Sequence, residues 1–183
     1  MARVTYIEGT EQDDPEFSAL VDKVRSGRRG SLINVYKLLL NSPPLAETWF
    51  EHLGAVRWKT QLDGRLREIV IIRIAHVNDV PYVLRQHVPK LAEAEGLTLS
   101  ECDALVDWQS SQYFGSRERA ALAFADCMTR DVSVPDDVFE ELTGHFDERE
   151  IVELAVLIGT YNMHNRVMTA LGIDLEPAEP YPG

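Results

Sequence analysis

The amino-acid sequence predicts an all-α protein of about eight helices. Helix-start and helix-stop residues recur along the chain, and apolar residues fall at helical spacing. No Asn-Gly or Asp-Gly turn is flanked by alternating strands; Asp63-Gly64 precedes a segment with helical spacing. In chain order, Asp14-Pro15 starts the first helix, with proline where a missing N–H costs nothing. Ser42-Pro43 does the same for a segment carrying the apolar stripe Trp49, Phe50, Leu53 and Val56, read as packing. Leu66 to Val77 comes next. Its β-branched run Ile69-Val70-Ile71-Ile72 has strand propensity, but Leu66, Ile69, Val70, Ile74 and Val77 share one helix face. Ile71, Ile72 and Ala75 cover the other faces, so this helix is expected to be buried nearly all round.

Asn78-Asp79 breaks the chain, and Pro81 sits in the first turn of the following helix, read as running over 80–95. Thr98 to Glu101 forms a capping box. Ser116 precedes an alanine-rich helix. Pro135-Asp136-Asp137 places acids in a first turn, where they favour the helix dipole. Asp147 to Glu150 opens a long helix that Gly172 ends near Leu171. Gly27 to Gly30, Asn41, Gly96 and Gly144-His145 mark turns. Residues 1–14 are expected to be a loose N-terminal segment, 15–175 a single helical domain, and 176–183 a proline-rich loose tail. Arg67-Glu68-Ile69-Val70 recurs as Arg149-Glu150-Ile151-Val152, a faint internal echo.

Composition bounds the function. At 183 residues the chain can bury a core without disulfide or metal staples. Thirty acidic against 18 basic residues argue against a nucleic-acid partner and against anionic membranes. No apolar run approaches the ~20 residues of a membrane span, and the N-terminus lacks the apolar region of a secretory signal. Cys102 and Cys127 form neither a CxxC nor a zinc pattern, so a reducing cytoplasm is the expected compartment. No cofactor and no metal is expected: there is no glycine-rich phosphate loop, and no HxxxH, ExxH or carboxylate cluster is arranged for a metal.

The stretch from Leu66 to Pro89 carries the chemistry. It reads as a helical hairpin in which His87 shares a face with Val80, Val83, Leu91 and Ala94. An antiparallel partner helix brings Glu68 toward that face. A carboxylate and an imidazole among Ile and Val side chains make an acid/base pair in a dry setting. The same pair can equally hold two helices in register.

These residues resemble the carboxymuconolactone decarboxylase family, which includes the AhpD-like alkylhydroperoxidases. The carrying pattern is Glu68, eleven residues, position 80, two residues, position 83, three residues, His87, flanked by Arg67 and by Val88-Pro89. The likeness spans roughly Pro43 to Leu175, including Ile158 to Arg166. It implies an AhpD-like helical fold and a homotrimer or homohexamer. In the redox members, positions 80 and 83 are cysteines; here they are Val80 and Val83, and valine is no nucleophile. The branch without the thiol pair implies cofactor-independent lyase or proton-transfer chemistry on a small carboxylated, lactone-like substrate. In that branch His87 is the expected proton donor and Glu68 its orienting partner. Tyr82 is the expected oxyanion donor, and Arg85 the clamp for a substrate carboxylate. Val80 and Val83 shape the pocket, and His164 and Arg166 line either that pocket or a subunit contact. The alternatives are an AhpD-like peroxidase that would need Cys102 and Cys127 to meet, and a non-catalytic oligomeric binding protein.

Overall fold

A computed structural model describes residues 1–10, 14–27 and 30–176. Among them it places nine α-helices: α1 (Pro15–Ser26), α2 (Asn34–Leu39), α3 (Pro43–Trp58), α4 (Gly64–Val77), α5 (Pro81–His87), α6 (Leu99–Ala104), α7 (Ser116–Arg130), α8 (Asp136–Thr143) and α9 (Glu148–Leu171). No strand occurs among the described residues. The chain divides into two compact units, one of residues 1–54 with 167–183, the other of residues 55–166.

In the first unit, α1 begins at an Asp14 cap whose side chain accepts the Glu16 N–H, with Pro15 following. Helix α2 is the one the sequence did not announce. It has only six residues and no side-chain cap, so neither periodicity nor a start signal marks it. Residues 3, 6 and 7 make defined hydrogen bonds within this unit. Arg3 N–H donates to Leu171 O, Ile7 N–H to Lys37 O, and Asp174 N–H to the Tyr6 hydroxyl. Short-range sequence cues could not show these bonds, because most join residues more than 160 positions apart. Gly172, at φ +66°, takes the left-handed conformation that ends α9. The tail beyond residue 176, and Arg28 and Arg29 of the turn expected at Gly27 to Gly30, lie outside the described residues.

The second unit is organised around α4. Asp63 caps it by accepting the Leu66 N–H. Ile69, Val70, Ile71, Ile72, Ile74 and Ala75 are all fully buried. β-Branched residues cost a few tenths of a kcal/mol each in a helix, whereas burying such a side chain contributes about 1.5–3 kcal/mol. Burial therefore overrides local strand propensity. Helix α4 packs against α7, α5, and the turns Val88–Ala92 and Leu105–Asp107. Its Ile69 and Ile72 join a core with Ala92, Leu97, Cys102, Leu105, Trp108, Phe114 and Leu122.

The helix expected over 80–95 is interrupted. Val88–Ala92 adopts π-helical geometry directly after His87. Pro89 has no N–H to donate to the preceding turn, so the α-helical ladder cannot continue through it. The echo between residues 67–70 and 149–152 has no structural counterpart. Glu68 is buried in the middle of α4, whereas Glu150 caps the start of α9, exchanging bonds with Asp147.

The Thr98 capping box forms as expected. Partial burial by itself would raise the Glu101 carboxyl. Bonds from Arg65 and Thr98 outweigh this and hold its pKa down at about 2, against an ordinary 4.5. A depressed carboxyl stabilises the fold fully above its unfolded pKa, and that contribution is lost as pH falls through the folded value. Glu101→Gln is therefore expected to lower the melting temperature at neutral pH. The deficit should shrink from pH 4.5 downward and be gone near pH 2, in melts recorded across that range.

Candidate active site

Four residues of the second unit, Arg57, Glu68, His87 and Tyr161, form one buried cluster. Glu68, from the middle of α4, is 0% exposed, and His87, the last residue of α5, is 5% exposed. Their side chains meet, with His87 Nδ1 and Glu68 Oε2 2.5 Å apart. The other oxygen, Oε1, accepts from Arg57 Nη2 at 3.1 Å, and Arg57 Nη1 donates to the Tyr161 hydroxyl at 3.4 Å. Arg57 comes from the last turn of α3 and Tyr161 from the middle of α9. The Tyr161 ring stands edge-on to the His87 imidazole, with centroids 5.6 Å apart, and lies 5.9 Å from His164.

The electrostatics follow from this geometry. Burial alone would raise the Glu68 carboxyl pKa. The charge and hydrogen bond of His87, with the Arg57 and Arg67 guanidinia, more than offset it and leave the pKa below the usual carboxylate value. Glu68 is thus a carboxylate at neutral pH. A carboxylate accepts only, so against ionised Glu68 it is His87 Nδ1 that donates. Short bonds to an ionised group are the strong ones. Such an arrangement fixes an imidazole in one tautomer and one orientation, which general acid–base chemistry requires.

The remaining expected residues take varied places. Val80, Tyr82 and Val83 are buried at the start of α5. Arg85 is exposed on the same helix. His164 is buried beside Tyr161. Arg166 donates to Asn162 Oδ1 at 2.7 Å, and the same oxygen accepts from Asn78 at 3.0 Å. Asn162 Nδ2 in turn donates to Thr129 Oγ1, a polar lock joining α9 to α7 and to the break after α4. His76, near the end of α4, bonds the backbone of Cys102 in α6 rather than the carbonyls of its own helix end. His52 is exposed, and His145 pairs with Glu141 one helical turn away.

Sequence reasoning missed Arg57 as the cationic partner. The signal was present, because Arg57 lies four residues after Leu53, on the apolar face of α3, where an arginine is out of place unless it is paired. Tyr161 stood inside the C-terminal stretch but had no assigned role. Both cysteines are free thiols; Cys102 is buried in the apolar core, and burial pushes its thiol pKa up. Among the described residues no group of three or more His, Cys, Asp or Glu side chains could hold a metal ion. No helix among them is long and apolar enough to cross a membrane.

Comparison with known proteins gives a consistent picture. The model of the carboxymuconolactone decarboxylase family matches residues 43–126. The Escherichia coli protein YnjA is 31% identical over 118 residues, which is 64% of this chain and 64% of YnjA. Bacillus subtilis YdfG is 27% identical over 116 residues, 62% of this chain and 78% of YdfG. Neither relative has a characterised role. Among solved structures, a protein of unknown function from Agrobacterium tumefaciens, grouped with the antioxidant defence protein AhpD, superposes with a TM-score of 0.72 at 27% identity, over 78% of this chain and 97% of that one. The AhpD-core peroxidase-related protein of Ralstonia eutropha JMP134 reaches a TM-score of 0.81 at 21% identity, covering 96% and 92%. The debrominase Bmp8, solved with 2,3,4-tribromopyrrole, reaches 0.78 at 20% identity, covering 97% and 95%. These last two show likeness of fold.

Proposed function

We propose that this chain is a cofactor-independent lyase acting on a small carboxylated lactone, a reading supported by the match of the carboxymuconolactone decarboxylase family model to residues 43–126 and by the AhpD-like fold. One observation carries this: the 2.5 Å contact between buried Glu68 and His87, with Arg57 on the opposite carboxylate oxygen. The bond from substrate carbon to carboxylate breaks, CO2 leaves, and its electron pair passes into the conjugated lactone. Doubly protonated His87 then gives the proton on Nε2 to the carbanionic carbon and recovers one from water. Glu68 keeps the Nδ1 proton in place and stabilises the transient imidazolium. In this scheme Tyr82 donates to the developing oxyanion and Arg85 receives a substrate carboxylate. Val80 and Val83 shape the apolar wall, and His164 and Arg166 extend the site from α9.

A thiol peroxidase of AhpD type is disfavoured by Val80 and Val83 and by the raised thiol pKa of Cys102. The test uses carboxymuconolactone and records CO2 release. Glu68→Gln and His87→Asn are each expected to cut turnover by ~100-fold or more while the far-ultraviolet circular dichroism stays that of the parent. Folded variants that turn over at the parent rate would remove the assignment. No turnover by the parent itself would favour a binding protein.

A further inference from the structure

Trp58 is the last residue of α3 and is 59% exposed. A single exposed apolar side chain is ordinary on a protein surface. The neighbours of this one are not. The guanidinium carbon of Arg57 lies 4.9 Å from the centroid of its ring, and that of Arg67 lies 5.2 Å from it. Both arginines are only 6% exposed. The indole is thus the exposed member of the trio, and it stands where water would otherwise meet two guanidinia. Consecutive residues on a helix do not face each other, so the Trp58 ring must fold back to reach Arg57, while Arg67 comes from the first turn of α4. Each guanidinium leaves its Nε–H without a hydrogen-bond partner among the described residues. Of the natural rings, indole attracts a cation best, and its face also accepts weakly from N–H.

Both cations act on one carboxylate. Arg57 Nη2 donates to Glu68 Oε1 at 3.1 Å. The charge of Arg67, itself paired with Glu95 at 2.8 Å, also favours the ionised form of Glu68. The other titratable groups around Glu68 are His87 from α5, on Oε2, the Tyr161 hydroxyl from α9, held through Arg57, and the Cys102 thiol from α6, which the Glu68 charge helps to push up. The route from Trp58 to the carboxylate therefore runs through Arg57.

From this we infer that Trp58 is a positioning residue of the Glu68–His87 site. Its ring clamps the Arg57 guanidinium against Glu68 Oε1 and keeps water from weakening that charge. The inference rests on the reading of Glu68 and His87 as the working pair. Glu68 is itself fully buried, so opening this corner would hydrate the guanidinium rather than the carboxylate. A hydrated, freer Arg57 neutralises Glu68 less, and Glu68 then takes up its proton at higher pH.

The test follows the Glu68 carboxyl by carbon-13 NMR across acid pH in the parent, Trp58→Leu and Trp58→Phe, with melting and carboxymuconolactone turnover recorded alongside. In Trp58→Leu the Glu68 titration should move up by ~0.5 of a pH unit or more, and the acid limb of turnover should follow. Trp58→Phe keeps an aromatic face and should titrate close to the parent. Adding Trp58→Leu to Arg57→Met should bring little further shift, because the ring acts through that guanidinium. An unmoved Glu68 titration in Trp58→Leu would overturn the inference, whatever happens to the melting temperature. So would a shift that persists at full size in the Arg57→Met background. A parent that releases no CO2 while the titrations behave as expected would remove the lyase reading and leave the role of Trp58 standing.

Discussion

Replacing Arg73 with methionine should lower the unfolding free energy by about 3–5 kcal/mol, the range for breaking a buried ion pair from one side. Arg73 lies inside α4 and is 4% exposed. Its Nε and Nη2 make a bidentate pair with Asp126 of α7 at 2.6 and 2.7 Å, while Nη1 donates to the carbonyls of Leu105 and Val106. Asp126 also accepts from Trp108 Nε1. Methionine fills the space of the stem but leaves a partly buried carboxylate with Trp108 as its remaining donor here, and takes the guanidinium donor from two carbonyls. Urea denaturation of the single variant and of Arg73→Met with Asp126→Leu separates the causes. The double variant should recover much of the loss, because an apolar pair of similar volume carries no orphaned charge.

Arg57→Met should have the second largest effect, and it reaches the active site. It removes the cation from Glu68 Oε1 and the donor from the Tyr161 hydroxyl. A stability loss of about 3 kcal/mol is expected at neutral pH. The pH dependence should change as well. In the parent, Glu68 has a folded pKa below its ordinary 4.5, so its stabilising contribution is complete above that value and disappears as pH falls through the folded pKa. Without Arg57, burial is opposed chiefly by His87, and the folded pKa rises. Acid unfolding of Arg57→Met should therefore begin at higher pH than in the parent, and the acid limb of the turnover profile should move the same way. Denaturation and rate profiles recorded from pH 3 to 8 would check both; coincident acid limbs would show that Arg57 does not hold Glu68 ionised.

Much of the helical architecture was legible because its signals are local. Asp14-Pro15, Asp63, Thr98 with Glu101, and Asp147 with Glu150 each place a cap within three residues of the backbone it satisfies. Spacing alone identified α4 against its own β propensity, because a helix buried on every side leaves a run of apolar residues that a period of 3.6 still orders. Helix α2 and the π-helical turn were not legible. The first is too short to show a period, and Pro89 signals an irregularity without specifying its form.

The candidate site divides along the same line. Glu68 and His87 were readable as a pair because a nineteen-residue helical hairpin brings its two arms together over a short contour. Arg57 was signalled only as a cation on the apolar face of α3, and the role of Tyr161 was not legible, since it meets Arg57 across 104 residues. Amino-acid order alone marks the capped and periodic helices, offers Glu68 and His87 as an acid and base on facing arms, and shows that positions 80 and 83 hold no sulfur. Packing in three dimensions settles that His87 and Arg57 meet the two oxygens of Glu68 and that Tyr161 stands against both. Those properties depend on charges and dipoles a few ångströms apart in space, and separation along the chain does not encode that distance.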